Sequence, residues 1–212
     1  MARRGGALAR PLHQRHTGSR VPSRQHELDR KLQNLLSSLP PRDAKTGLVH
    51  VVVDTPRGSH NKLKYDEELG CFKLARILPV GHVFPYDFGS VPGTRAADGD
   101  ALDVLVLLDA PTFPGCLVTV ELIGGIAARQ TEQGKTIGND RLVGAPRTPT
   151  NAPGFDHLDE LGDACLKQIE HFFISYNEAQ GREFEPTGRF GPGEAEERLE
   201  SAIAAYHDHD GP

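Results

Sequence analysis

Short apolar runs separated by turn residues fill residues 48–146. The candidate strands are His50–Asp54, Leu63–Tyr65, Phe72–Ala75, His82–Phe84, Asp103–Leu108, Gly115–Ile126 and Arg141–Gly144. Asp66–Gly70 lies between the second and third of these, and its glycine favours a hairpin turn. Strands at this close spacing predict a small barrel or a sandwich.

Apolar residues at spacings of three and four appear on either side of the strand region. They predict two closing helices, Asp159–Gln180 and Glu194–His207, and a short leading helix, Glu27–Leu39, that ends at Pro40-Pro41. A run of strands followed by helices is typical of the α+β class. We therefore expect a small barrel with helices packed on it.

These patterns divide the chain into four segments. Residues 1–26 are expected to be a disordered basic extension, and residues 27–47 a short helix and linker. Residues 48–190 form the barrel domain with its helix, and residues 191–212 form a C-terminal helix with a frayed polar tail. The tail contains His207 to Asp210. These residues could bind a transition metal, but a frayed polar tail is the simpler interpretation.

The charge of the chain is unevenly distributed. The formal net charge is −5, but residues 1–26 carry six arginines and no acid, which leaves 18 basic and 29 acidic residues in the remainder, a net −11. An acidic body disfavours nucleic-acid binding, which needs a basic face. The basic arm leaves organelle targeting and contact with a polyanion open as alternatives.

Cysteine content and hydropathy bear on the compartment. The three cysteines lie far apart, which argues against a disulfide framework and against a zinc site. No apolar run approaches the length of a membrane-spanning helix. We expect a reduced cytoplasmic protein without a membrane partner.

The segment Asp98–Asp103 places three carboxylates within six residues, directly before a buried strand. Crowded carboxylates repel each other unless a cation is supplied, and hard divalent cations prefer such oxygen ligands. A solvated Asp-Gly turn is the alternative. An EF-hand is disfavoured because Asp103 and Asp109 occupy the positions that need glycine and glutamate.

Further charged residues occur in the same part of the sequence. Asp54 ends a candidate strand, where it could ligate a metal or cap the strand. Lys62 and Arg76 lie on successive strands, and Arg141 begins a later one. Each alone reads as a surface charge, but together with the acidic segment they indicate a site for a small polyanion such as a phosphate compound.

Three motifs carry a family resemblance. They are Asn-Lys-Leu-Lys-Tyr-Asp at 61–66, Phe-Pro-Tyr-Asp-Phe-Gly at 84–89 and Asp-Gly-Asp-Ala-Leu-Asp-Val at 98–104. With their intervals, and with the helix that contains His171-Phe172-Phe173 and Tyr176, they resemble the soluble inorganic pyrophosphatases of the first family. The likeness covers about residues 48–182. It implies a closed or partly open five-stranded OB-like barrel with surrounding short strands and two packed C-terminal helices.

The resemblance also implies an activity, the magnesium-dependent hydrolysis of pyrophosphate, with Mn²⁺ or other divalent ions as substitutes. Asp98 and Asp103 would ligate the metal ions, and Asp103 would bridge two of them. Asp100 would orient the attacking metal-bound water, accept its proton and also serve as a metal ligand, and Asp54 would help to hold further metal. The residues implied to bind phosphate oxygens are Lys62, Arg76, Arg141 and Tyr176, with Arg182 in place of a more distant family lysine.

The sequence departs from the family pattern at several positions. Lys64 stands where the family usually has glutamate, and Phe84 and Phe88 stand where it usually has tyrosines. Asn177 and Arg141 each replace a lysine, and Ala101 replaces a proline or glutamate. Each phenylalanine removes a hydroxyl that would contact phosphate.

The largest departure is in Gln130–Arg141, where the family has an Asp-Glu pair and a further metal-binding aspartate. Strict alignment from Arg141 puts Asn139 at the ligand position, and a shift of one residue puts Asp140 there. Because an amide binds hard cations more weakly than a carboxylate does, the choice affects affinity. We predict Asp140 as the ligand.

Three functions stay open at this point. The first is a magnesium-dependent inorganic pyrophosphatase, the second a phosphohydrolase with altered substrate preference, and the third a non-catalytic metal- or phosphate-binding protein. Pyrophosphate is the expected small-molecule partner. The chain could also form a homo-oligomer, as bacterial members of the family commonly do.

Overall fold

A computed structural model describes Leu36, residues 39–147 and residues 154–210. The predicted basic extension and nearly all of the predicted helix Glu27–Leu39 lie outside these residues. Within the described residues, neither helix combines the length and the apolar character needed to cross a bilayer.

Nine strands and two α-helices make up the described chain. The strands are β1 (Val49–Thr55), β2 (Asn61–Asp66), β3 (Cys71–Ile77), β4 (Asp87–Val91), β5 (Leu102–Val106), β6 (Leu117–Glu132), β7 (Lys135–Gly138), β8 (Arg141–Pro146) and β9 (Glu183–Phe190). A 3-10 turn (Leu158–Leu161) precedes helix α1 (Asp163–Glu178), and helix α2 (Pro192–Asp210) follows β9.

Five strands pair in a closed ring. The order is β1-β4-β5-β8-β6, and β6 pairs back with β1 to complete it. All of these pairings are antiparallel except β5–β8, and all seven residues of β1 are buried. The ring with its two helices confirms the predicted α+β class and the predicted five-stranded arrangement.

The 16 residues of β6 allow the ring to close. Its first half pairs with β1 and β8, and its second half pairs with β7 and β9. The change of partner follows a bulge between Leu122 and Gly124, where Gly124 has a φ of 140°. A bulge bends a strand and increases its twist, and glycine permits this backbone conformation without strain.

Side chains alternate between two apolar clusters. Alternate residues of β1, β5 and β6 form one cluster, into which α2 inserts Ala195 and Leu199. The opposite face of β5, β6 and β8 forms the other, against Leu166, Ile169 and Phe173 of α1. Because strand residues alternate between faces, the helices cover different surfaces of the same sheet.

Two predictions about element boundaries were wrong. His82–Phe84 is not a strand, because the backbone of Phe84 bonds the loop at Gly58 and Ser59, and Pro85, which has no N–H, follows. The predicted helix Asp159–Gln180 is interrupted at Gly162, whose φ is 76°. The apolar spacing therefore continues across Gly162 although the helix itself does not.

Three strands, β4, β7 and β9, were missed, and one tail was misjudged. Strand β9 contains Pro186 and Gly188, which are unfavourable inside strands, yet it pairs with β6 along the edge of the sheet. Strand β7 forms a hairpin with β6 around Gln133-Gly134, within the segment Gln130–Arg141 where the sequence departs most from the family pattern. The predicted frayed tail is helical, because α2 continues to Asp210.

Replacement of Gly89 by alanine should strongly destabilise the protein. A Cβ at position 89 would lie 2.2 Å from the carbonyl oxygen of Val52, which belongs to the β1–β4 pairing and cannot move away independently. We expect a loss of about 3 kcal/mol, the upper range for overpacking, and a melting temperature lower by roughly 6–12 °C. Gly138→Ala is the matched control, because nothing lies within 4 Å of its added Cβ. Equal melting temperatures in the two variants would contradict this account of Gly89.

Candidate active site

A cavity of about 810 Å³ opens beside the strand ring. Hairpin β2–β3, the loop from Pro92 to Ala101, the ends of β6 and β8, and helix α1 surround it. Among the described residues its charged lining consists of six acids, Asp54, Glu67, Asp98, Asp100, Asp103 and Glu132, and five bases, Lys62, Lys64, Arg95, Arg141 and Arg182. The cavity therefore combines both signs of charge in nearly equal number.

Local structure explains how these side chains meet. Lys62 and Lys64 both line the cavity because residues two apart on a strand point to the same face. The aspartate loop is held by two turns. Thr94 bonds the backbone of Val91 and Leu102, and the Ala96 N–H donates to the carbonyl of Asp100 at 2.8 Å. Asp103 then lies at the start of β5, opposite Ser90.

Burial shifts the pKa values of two charged groups of the cavity, Asp54 and Lys62. Asp54 is only 7% exposed, and burial raises its carboxyl pKa to about 6 despite the neighbouring Lys62. Burial likewise lowers the pKa of the Lys62 ammonium to about 8, against the attraction of Asp103 and Asp54. Burial thus disfavours the charged form of each group, and a cation beside Asp54 or an anion beside Lys62 would offset it.

Two ion pairs cross the cavity. The Lys64 ammonium donates to Asp100 Oδ2 at 2.8 Å, with about half of each side chain exposed. The Arg141 guanidinium lies 2.7 Å from Asp103 Oδ2 and is buried. Two of the three carboxylates in the acidic motif therefore face cations of the protein itself.

Aromatic rings form the apolar floor beneath the cations. The Lys62 ammonium lies 3.8 Å from the ring centre of Phe88 and 5.4 Å from that of Phe84. The Arg141 guanidinium lies 5.2 Å from the ring centre of Phe173. Cation–π attraction thus orients both bases. Tyr176, in edge contact with Phe84, brings the phenol of α1 to the same cavity.

Most of the residues implied by the sequence line this one cavity. They are Asp54, Asp98, Asp100, Asp103, Lys62, Arg141 and Tyr176, together with Arg182. Arg76 is not part of the described lining. It is exposed on β3, where it pairs in register with Lys62.

Asp140 also lies outside this cavity. Its Oδ1 accepts the Ala128 N–H at 3.0 Å, and its Oδ2 pairs with Arg198 of α2 beside a second cavity of about 400 Å³. Asn139 lines the main cavity instead, as the strict alignment had it. Asn139 is therefore the one of the two that faces this cavity, and the assignment of Asp140 as a metal ligand stays a prediction.

Gln130 is a lining residue that the sequence argument missed. The Asn139 amide donates to Gln130 Oε1 at 2.7 Å, and the Arg141 guanidinium donates to Asn139 Oδ1. Both amides are buried. The signal was available, since Gln130 continues the alternation of buried residues Ile126 and Ala128 along β6.

The lining fits a hard divalent cation in its chemistry. The described lining offers carboxylate oxygens and contains no histidine or cysteine, which is the donor set for Mg²⁺, Ca²⁺ or Mn²⁺. Within residues 39–147 and 154–210, no three such acids converge tightly enough to enclose an ion. Substrate oxygens and water would have to complete the coordination.

Replacement of Asp140 by asparagine separates a structural role from a metal-binding one. Loss of the carboxylate would weaken its bond to Arg198, which costs about 1.5–3 kcal/mol for a charged pair and lowers the melting temperature by roughly 3–12 °C. Asp103→Asn should instead weaken Mn²⁺ binding at least about tenfold, because a neutral ligand replaces an anionic one. Thermal unfolding and Mn²⁺ titration of both variants are the measurements. A larger loss of Mn²⁺ affinity in Asp140→Asn would restore Asp140 as a ligand.

The five-stranded ring and a cavity that combines carboxylates with lysine and arginine suit the class of proteins that bind phosphate compounds together with divalent cations. The family model described as inorganic pyrophosphatase matches residues 51–207. An inorganic pyrophosphatase of Thermus thermophilus is 36% identical over 177 residues, 81% of this chain and 97% of that protein. One of Geobacillus stearothermophilus is 35% identical over 76% of this chain and 95% of that protein.

Solved structures agree with these relatives. The crystal structure of the Thermus thermophilus inorganic pyrophosphatase has a TM-score of 0.73 at 33% identity, and it covers 81% of this chain and 98% of that chain. That of the Neisseria gonorrhoeae inorganic pyrophosphatase has a TM-score of 0.71 at 28% identity, covering 80% and 97%. The chain belongs to the inorganic pyrophosphatase family, and it is thus a hydrolase by family.

Proposed function

We propose that the protein hydrolyses inorganic pyrophosphate to two phosphates with Mg²⁺ as its physiological cation. The observation that carries this proposal is the convergence of Asp54, Asp98, Asp100 and Asp103 with Lys62 and Arg141 on one cavity, in a chain of this family. When bound, a divalent cation neutralises pyrophosphate and lowers the pKa of water. The acidic lining attracts that cation, so an acidic protein can accept an anionic substrate.

The bases of the cavity bind and orient the substrate in this proposal. Arg141 presents a planar donor held by Asp103 and by the ring of Phe173, and Lys62 presents an ammonium held on the ring of Phe88. Pre-oriented donors of this kind stabilise the charge that develops on phosphate oxygens in the transition state. Tyr176 supplies a hydroxyl donor from α1.

Asp100 is the proposed general base. As the water oxygen bonds to phosphorus, one water proton passes to the carboxylate, and the bond from phosphorus to the bridging oxygen breaks to release phosphate. The Lys64 ammonium engages Oδ2, so we assign the proton to Oδ1. A positioned base of this kind contributes a rate factor of about 10²–10⁴.

Phosphate release by the full-length chain tests the proposed function. Protein stripped of cations by a chelator should release no phosphate from pyrophosphate, and added Mg²⁺ should restore the release, with Mn²⁺ as the comparison. Tripolyphosphate and ATP are assayed in parallel. Equal rates on all three substrates, or no release with either cation, would contradict the proposal.

Altered substrate preference is the second candidate. Phe84 and Phe88 offer ring faces to Lys62 and no hydroxyl to a phosphate oxygen, and Lys64 adds a cation at the mouth. Both features would suit a more highly charged phosphoanhydride. A higher kcat/KM for tripolyphosphate than for pyrophosphate would favour this candidate.

A further inference from the structure

The charge balance of the cavity is unusual for a site that must collect divalent cations. Its described lining holds six carboxylates but also five basic side chains, so its formal charge is close to −1. A divalent ion that enters meets attraction and repulsion of similar size. The number of acids therefore overstates the affinity of the cavity for free cations.

Arg141 occupies one wall of the cavity. It pairs with Asp103, and its guanidinium also donates to the Asn139 side-chain oxygen. The amide of Asn139 in turn donates to the side-chain oxygen of Gln130. Both amide oxygens on this wall accept protein hydrogen bonds, so a free cation has to compete with a built-in network for them.

Lys64 occupies the opposite side. Its neighbour two residues back, Lys62, also faces the cavity, so strand β2 fixes the direction of both side chains. The Lys64 ammonium lies 2.8 Å from Asp100 Oδ2. With about half of its side chain exposed, Lys64 can withdraw when another cation arrives, unlike the buried Arg141.

We propose that Lys64 is a tethered cation that competes with a divalent ion for Asp100 and so sets the cation requirement of the enzyme. The inference deepens the proposed function and rests on it, because Asp100 is the base there. A positive charge at position 64 repels any divalent ion within a few ångströms, and its removal or reversal should strengthen binding of that ion.

Binding of Mn²⁺ to the folded, full-length protein without substrate tests the proposal. Electron paramagnetic resonance counts free Mn²⁺, and calorimetry gives affinity and stoichiometry. Lys64→Glu should tighten binding at least about tenfold or add one ion per chain, and Lys64→Met should give an intermediate gain. Lys73→Glu is the matched control. Lys73 is an equally exposed lysine, paired with Asp66 on the same hairpin, and it does not line the cavity.

The outcomes separate this proposal from the proposed function. A change of less than threefold in Lys64→Glu, with unchanged stoichiometry, overturns it, as does an equal gain in Lys73→Glu. Because the titration contains no pyrophosphate, a chain that releases no phosphate but shows the Lys64 effect contradicts the function alone. An active enzyme without the effect contradicts only the role of Lys64.

Discussion

Replacement of Asp100 by asparagine is expected to lower kcat for pyrophosphate by about 10²–10⁴, the range for loss of a general base. The amide keeps the size of the side chain and can still accept the Lys64 hydrogen bond, but it cannot take a proton. In the proposed mechanism Lys62 and Arg141, which line the same cavity, bind the substrate, so KM should change by only a few-fold. Steady-state kinetics at saturating Mg²⁺ measure both constants.

Asp66→Asn is the control for this prediction. Asp66 also pairs with a lysine, Lys73 at 2.6 Å, but it is the last residue of β2 and does not line the cavity. If Asp100→Asn retained more than a third of the wild-type kcat, Asp100 would not be the base. A wild-type protein as inactive as the variant would indicate a binding protein instead.

The sequence predicted the strands that alternate cleanly or are wholly apolar, such as β1 and β5, because burial alone determines them. It failed at β9, where Pro186 and Gly188 oppose a strand and the pairing with β6 decides. Local propensity is outweighed there by tertiary contact. The same limit applies to the break at Gly162, since the apolar spacing of the helix face continues across it.

The candidate site was predictable where its residues are adjacent in sequence, as in Asp98–Asp103. The family resemblance also predicted that Lys62 and Arg141 belong to the site. Pairings between distant residues were not predictable, because they depend on how strands align. Lys64 with Asp100, and Asn139 with Gln130, are examples. Which of Asn139 and Asp140 faces the main cavity was likewise not predictable, because the β6–β7 hairpin places them.

The second large effect concerns Arg141, which is 6% exposed and contacts both Asp103 and Asn139. Arg141→Met would leave Asp103 without its partner and would remove a donor to Asn139. Breaking a buried ion pair costs about 3–5 kcal/mol. Because Asp103 is partly exposed, we expect about 3 kcal/mol, or roughly 6–12 °C in melting temperature.

Activity should fall further than stability explains. Arg141→Met also removes a charged donor to the transition state, which we expect to raise its free energy by about 3 kcal/mol. This corresponds to a fall of roughly 10² in kcat/KM, measured well below the melting temperature. Arg141→Lys should restore the positive charge but not the planar, bidentate donor geometry of arginine, and so give an intermediate kcat/KM. Arg129→Met is the control, since Arg129 is exposed on β6 and lines neither cavity described above. Because Arg141 anchors Asp103 as well as substrate, a variant that loses stability while keeping kcat/KM would reduce its role to structural support alone.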